Sequence, residues 1–139
     1  MGSEMCIRDS PWVTTNNENQ PSLSSCANTF PLTTDTMHFF NSQVFPNDLN
    51  KDHPWANPLH TKNLAGLPST VIGTAGFDPI RDQGNAFASR LAESGNDVTH
   101  FCFESLTHSY LMFGRVSNEA ERACETLAVA LSQSLNTPD

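Results

Sequence analysis

A strand–helix–strand pattern between residues 69 and 103 constrains the fold of this chain more than any other feature of its sequence. Ser69 to Ala75 is a short, apolar, β-prone run typical of a buried strand, and Val98 to Phe103 is a second strand run. Between them, Pro79 to Ser94 has helical spacing and is closed by Gly95. Short joints in such a pattern predict a βαβ unit with parallel strands, and therefore an α/β fold.

Two further helices flank this unit. The first is predicted from Asp35 to Phe45, with a threonine cap before it and Pro46 ending it. The second is predicted from about Ser117 to Leu135, with Ser117 or Asn118 as its cap. Its expected core face consists of Ala120, Cys124, Leu127, Ala128 and Leu131.

The remaining segments are rich in turn-forming residues. Pro11 to Thr14 reads as the end of a strand that runs into a polar loop. Residues 46–68 carry four prolines and no sustained period, so they are predicted to form a surface excursion pinned by Trp55 and Leu59. The start, MGSEMCIRDS, resembles a translated sequencing-adapter remnant. We therefore expect residues 1 to about 10 to be a non-native leader before a domain at 11–139.

Composition excludes several classes of function. Seven Lys+Arg against fifteen Asp+Glu give a net charge of −8, and the basic residues are scattered, so nucleic acid is not an expected partner. No apolar run approaches the roughly 20 residues that span a bilayer. The four cysteines form no CxxC pair, which disfavours a zinc site or a disulfide framework. Cys102 and Cys124 are expected to be small buried residues in a reducing, cytoplasmic protein.

Asp78 and His108 are the candidate functional pair. Asp78 follows the first strand of the βαβ unit, at the edge where open α/β sheets hold their working residues. His108 lies on the loop after the next strand and should therefore emerge at the same edge. A carboxylate can hold an imidazole in the tautomer needed for base catalysis. The alternative for Asp78 alone is a helix cap, with Pro79 at the first helical position.

The other candidates are weaker. His38 lies in a predicted helix and His100 in a predicted strand, and His53 and His60 have no helix or strand to frame a metal site. Asp82 suits the first turn of a helix, where acids favour the dipole. A nucleophile is not evident, because the sequence contains neither a G-x-S-x-G elbow nor an HGGG segment. Ser105 and Ser109 are near His108 in sequence, but neither is placed on a strand-to-helix elbow.

The stretch LAGLPSTVIGTAGFDPIRDQGNAFASRLAESG, followed by a strand, His108 and an amphipathic helix, closely resembles the C-terminal part of the hormone-sensitive-lipase-like esterases of the α/β-hydrolase superfamily. The resemblance implies that Asp78 is the triad acid and His108 the general base. It also implies a small-molecule carboxylic ester as substrate, no metal or organic cofactor, and a partial α/β-hydrolase fold whose nucleophile half is missing. The fragment is then expected to be inactive alone.

One departure from that family concerns the residue after the base. The family commonly continues His-Gly-Phe, whereas this chain has Ser109 and Tyr110. If the glycine adopts a positive φ, Ser109 strains the loop.

Two alternatives stay open: a non-catalytic binding or assembly module that reuses the end of a hydrolase fold, and a pseudoenzyme. The resemblance also suggests a homodimer formed through the strand from Val98 to Phe103.

Overall fold

The structure, a computed structural model, describes residues 6–15, 20–48, 51 and 53–135. A parallel sheet has the order β1–β2–β3, formed by Cys6–Asp9 (β1), Thr70–Phe77 (β2) and Val98–Thr107 (β3). The helices are Ser22–Ser25 (α1), Thr34–Val44 (α2), Arg81–Glu93 (α3) and Asn118–Leu135 (α4), and short 3-10 helices lie at Pro46–Asp48, Pro58–His60 and Tyr110–Phe113. The predicted α/β fold is confirmed, with β2 and β3 parallel and α3 between them in sequence.

Strand β2 is buried on both faces, as its continuous apolar run predicts. Successive side chains of a strand point to opposite faces, so Val71 and Ile72 lie in two different hydrophobic clusters. Ile72 packs with Leu91 of α3, whereas Val71 packs with Leu127 of α4. The two helices therefore cover opposite faces of the sheet.

Helix α4 presents a different face to the sheet than its sequence suggests. Ala120 and Leu127 are buried as predicted, but the other expected core positions are wrong: Ala128 is exposed, and Cys124 and Leu131 are only partly buried. Ala123 and Ala130 are buried in their place. These small side chains let the helix backbone approach a surface that already holds bulky aromatic rings, namely Phe101 and Phe103 of β3 and Tyr110 of the 3-10 helix that follows it.

The predicted strand end at Pro11 to Thr14 is wrong, because the strand lies earlier, at Cys6–Asp9. The ladder ends where the Ser10 amide donates to the Gly73 carbonyl, and Pro11 has no N–H with which to continue it. The amides of Val13 and Thr14 turn instead to Gln83 Oε1 of α3, at 2.7 and 3.1 Å.

The excursion at 46–68 is pinned at one of its two predicted residues. Leu59 is buried, its amide donates to the Val13 carbonyl, and its own carbonyl accepts from Arg90. Trp55 is 91% exposed, so its predicted anchoring role is wrong; its ring forms an edge-to-face contact with that of His53. The buried Leu59 side chain and the hydrogen bonds of its backbone, rather than the larger aromatic residue, hold this segment.

Part of the predicted leader lies outside the described residues, namely residues 1–5, and residues 6–9 form β1. That the leader is non-native stays a prediction. None of the helices in the described part of the chain is long and apolar enough to cross a membrane.

Candidate active site

Asp78 and His108 meet at the carboxyl edge of the sheet, one residue beyond the paired ends of β2 and β3. Phe77 of β2 pairs with Thr107 of β3, so the two following residues leave the ladder side by side. His108 Nδ1 lies 2.9 Å from Asp78 Oδ2. The structure thus brings together the two residues that the sequence singled out, which lie 30 positions apart in the chain.

The two side chains of the pair differ in their exposure to solvent. The Asp78 side chain is 0% exposed, whereas the His108 side chain is 23% exposed. An ionised carboxylate only accepts hydrogen bonds, so Nδ1 of His108 carries the proton that joins them. This bond leaves Nε2 as the nitrogen that can exchange a proton with a reacting group. The arrangement is chemically suited to general base catalysis.

The capping alternative for Asp78 is partly realised, but in a different form. Helix α3 begins at Arg81, two residues later than predicted, and its cap position is Ile80. Asp78 Oδ1 accepts from the Ile80 amide at 3.0 Å, which is a turn made by an Asp side chain two residues ahead of the donor. One carboxylate oxygen therefore fixes the local turn while the other holds His108.

A second set of hydrogen bonds braces this turn from a distant segment. Ser22, fully buried at the start of α1, donates its hydroxyl to the Pro79 carbonyl at 2.8 Å, and its amide donates to Asp82 Oδ2 at 2.7 Å. Asp82 Oδ1 accepts from Arg81 Nε at 3.0 Å. Asp82 thus lies in the first helical turn as predicted, and it also forms hydrogen bonds with Ser22 and Arg81. The bracing role of Ser22 could not be predicted from the sequence, because its partners lie about 60 residues away.

Ser109 adopts the strained conformation that its departure from the family's His-Gly-Phe pattern predicts. Its φ and ψ are 59° and 30°, in the left-handed region. A side chain in this region costs about 1–2 kcal/mol, a penalty that glycine avoids.

Ser109→Gly is therefore expected to raise the free energy of unfolding by about 1 kcal/mol, measured by urea denaturation. Ser94→Gly is the matched control, because Ser94 has a φ of −82° and gains nothing from glycine. Equal effects of the two substitutions would contradict the assignment of strain to Ser109.

Burial shifts the pKa of two other side chains near the sheet. Burial lowers the pKa of His100, whose Nε2 lies 3.1 Å from Thr74 Oγ1. Burial also raises the pKa of Cys102, so this thiol stays protonated and is a poor nucleophile at neutral pH. Among the residues described, no group of three or more His, Cys, Asp and Glu side chains is placed to hold a metal ion.

A nucleophile for His108 is not provided by the part of the chain that the structure describes. No serine or threonine hydroxyl there forms a hydrogen bond with His108. Ser109 lies in the strained turn and Ser105 in an exposed part of β3. The site as described therefore holds a carboxylate and an imidazole.

Comparison with known proteins places this geometry in a family. The profile of the α/β-hydrolase fold matches residues 3–112, which is most of the chain. The chain belongs to the α/β-hydrolase family. The carboxylic ester hydrolase LipN of Mycobacterium tuberculosis is 31% identical over 116 residues, and an arylesterase of Saccharolobus solfataricus is 39% identical over 67 residues.

The chain corresponds to part of the length of these relatives. It covers 31% of the length of LipN and 22% of the arylesterase, while 83% and 48% of its own length are aligned. An α/β-hydrolase enzyme from the metagenome of Lake Arreo, Spain, superposes with a TM-score of 0.88 at 26% identity, over 96% of this chain and 42% of that one. These matches confirm the prediction of a partial hydrolase fold related to esterases. The catalytic roles of Asp78 and His108 stay predictions.

Proposed function

We propose that this chain supplies the acid and the base of a cytoplasmic carboxylic-ester hydrolase of the hormone-sensitive-lipase-like group. The single observation that carries the proposal is the hydrogen bond between the buried Asp78 carboxylate and Nδ1 of the partly exposed His108. In a Ser-His-Asp mechanism, Nε2 of His108 takes the proton of the attacking serine and later activates the water that releases the acyl group. Asp78 orients the ring and stabilises the imidazolium.

The nucleophilic serine and the oxyanion donors, in this proposal, belong to sequence upstream of Pro11. In α/β-hydrolases the triad residues follow the order Ser, Asp, His, so an acid and a base without an elbow fit the later part of such a chain. Several large apolar side chains are exposed, notably Trp55, Phe39 and Phe40. Their exposure supports the proposal that further sequence packs on them in the whole protein. Strand β3 ends the described sheet, and its free edge supports the proposed homodimer through Val98 to Phe103.

The activity of the 139-residue chain tests this proposal. Because the covalent step needs a serine, we expect the purified chain to hydrolyse a short-chain aryl ester no faster than its His108→Ala variant does. Release of the aryl alcohol, followed by absorbance over several substrate concentrations, is the measurement. Turnover that depends on His108 would contradict the assignment of the nucleophile to another segment.

Sequence and solution behaviour separate the proposal from its alternatives. An in-frame HGGG segment and a G-D-S-A-G-type elbow upstream of Pro11 would support the enzyme, and their absence would favour a binding or assembly module. A monodisperse, cooperatively melting monomer would also favour the module. Aggregation or an ANS-binding, swollen state would favour the truncated enzyme.

A further inference from the structure

The contact between Asp78 and His108 depends on an irregularity in the β2–β3 ladder. Ala75 pairs with Phe103, and the next pair is Phe77 with Thr107. Between these two pairs β2 has one residue, Gly76, whereas β3 has three, so two residues of β3 are surplus to the ladder. Such an insertion is a β-bulge, a feature that often re-aims side chains next to active sites.

The surplus residues decide which residue of β3 reaches Asp78. In a regular ladder Phe77 would pair with Ser105, and His108 would lie two positions further along the strand. At about 3.3 Å per residue this is a displacement of roughly 6.6 Å. A hydrogen bond of 2.9 Å would not survive it. The bulge therefore brings the base level with the acid.

Gly76 is the residue that leaves room for this bulge. A Cβ built on Gly76 would lie 2.6 Å from Cα of Glu104 and would overlap the Glu104 carbonyl. These are backbone atoms, which cannot rotate aside as the end of a side chain can. By contrast, a Cβ on Gly84, in α3, would meet a side-chain atom, Thr74 Cγ2, at 2.8 Å.

The carbonyl of Gly76 is also satisfied from outside the ladder. Its oxygen accepts from Arg81 Nη1 at 2.9 Å, and the Cys26 thiol donates to it at 3.6 Å. Arg81 is itself held by Asp82. The Gly76 carbonyl is thus paired although the ladder is interrupted there, which lowers the cost of the irregularity.

We propose that Gly76 is a positioning residue for the acid–base pair: the absence of its side chain permits the bulge at Glu104–Leu106 that sets His108 beside Asp78. The role rests on the proposed function, in which this pair does the proton transfer. Any other L-residue at position 76 would force Glu104 away and separate the two side chains. Gly76 acts only through the register of β3 and touches neither reacting group.

Nuclear magnetic resonance of the ¹⁵N-labelled 139-residue chain tests the proposal, with the hydrogen-bonded Nδ1 proton of His108 as the readout. Asp78→Ala, which removes the acceptor, first identifies the signal of the pair, which should be lost in that variant. Gly76→Ala should abolish the same signal, while the protected amides of the regular part of the ladder, from Thr70 to Thr74, persist. Gly84→Ala, which adds an equal methyl group against a side chain, should keep the signal.

The outcomes distinguish a failure of the proposed function from a failure of the role of Gly76. A signal that survives Asp78→Ala would contradict the pairing on which the proposed function rests. A folded Gly76→Ala variant that keeps the signal would overturn the role of Gly76 alone. If Gly76→Ala does not fold, deletion of the exposed Ser105 decides, because a slip of one residue turns His108 to the opposite face. Loss of the signal in that deletion variant supports the proposal, and its retention overturns it.

Discussion

Replacing Gly73 by alanine is expected to lower the free energy of unfolding by about 3 kcal/mol. A Cβ at this position would overlap the hydroxyl oxygen of Tyr110 and would lie 3.1 Å from Leu127 Cδ1. Tyr110 and Leu127 are both buried, so neither can turn into solvent to make room. Urea denaturation followed by far-UV circular dichroism measures the loss, which corresponds to a fall in Tm of roughly 10 °C.

Tyr110→Phe provides the internal control for this prediction. The phenylalanine removes the oxygen that the new methyl group would overlap and keeps the ring in the core. The double variant should therefore be more stable than the sum of the two single effects predicts, by at least about 1 kcal/mol. Strict additivity would show that the overlap with the hydroxyl is not the cause of the destabilisation.

Leu127→Ala is expected to cost about 3 kcal/mol, because it leaves a cavity between α4 and the sheet. Leu127 is buried with Val71, Ala75 and Tyr110, which are held by β2 and by the turn after His108. These neighbours belong to rigid elements and can fill the space only in part. The same denaturation experiment measures the loss.

Val129→Ala is the matched control on the same helix, since Val129 is 56% exposed and its truncation should change stability by less than about 0.5 kcal/mol. The comparison also tests the orientation of α4. If the face predicted from sequence were correct, Leu131→Ala would cost as much as Leu127→Ala. A smaller effect at Leu131, which is only partly buried, is expected from the structure.

Periodicity predicted most of the fold because the deciding interactions are local. The apolar run of β2, a threonine cap before α2 and a helix end before Pro46 follow from neighbouring residues, and the structure contains them, with Thr33 as the cap and Val44 as the last helical residue. The face of α4 could not be predicted in the same way. Alanine and leucine occupy adjacent positions around that helix, and the shape of the sheet beneath it selects the small residues.

Long-range hydrogen bonds account for the other differences. Pro11 to Thr14 has the composition of a strand end, but its amides bind Gln83, a residue about 70 positions away. Trp55 appeared to be an anchor because of its size, yet backbone contacts of Leu59 hold the segment. A single sequence carries no signal for such partners, since they are fixed only when distant elements pack.

The sequence by itself determined which two residues form the candidate pair, Asp78 and His108, and the edge of the sheet at which both emerge. It determined this because parallel strands expose their carboxyl ends at one edge, and the residues that follow each strand can be read directly. Only the tertiary structure decided that the two side chains touch. That contact requires two surplus residues in β3 opposite Gly76, and the register of a ladder is a property of two strands together.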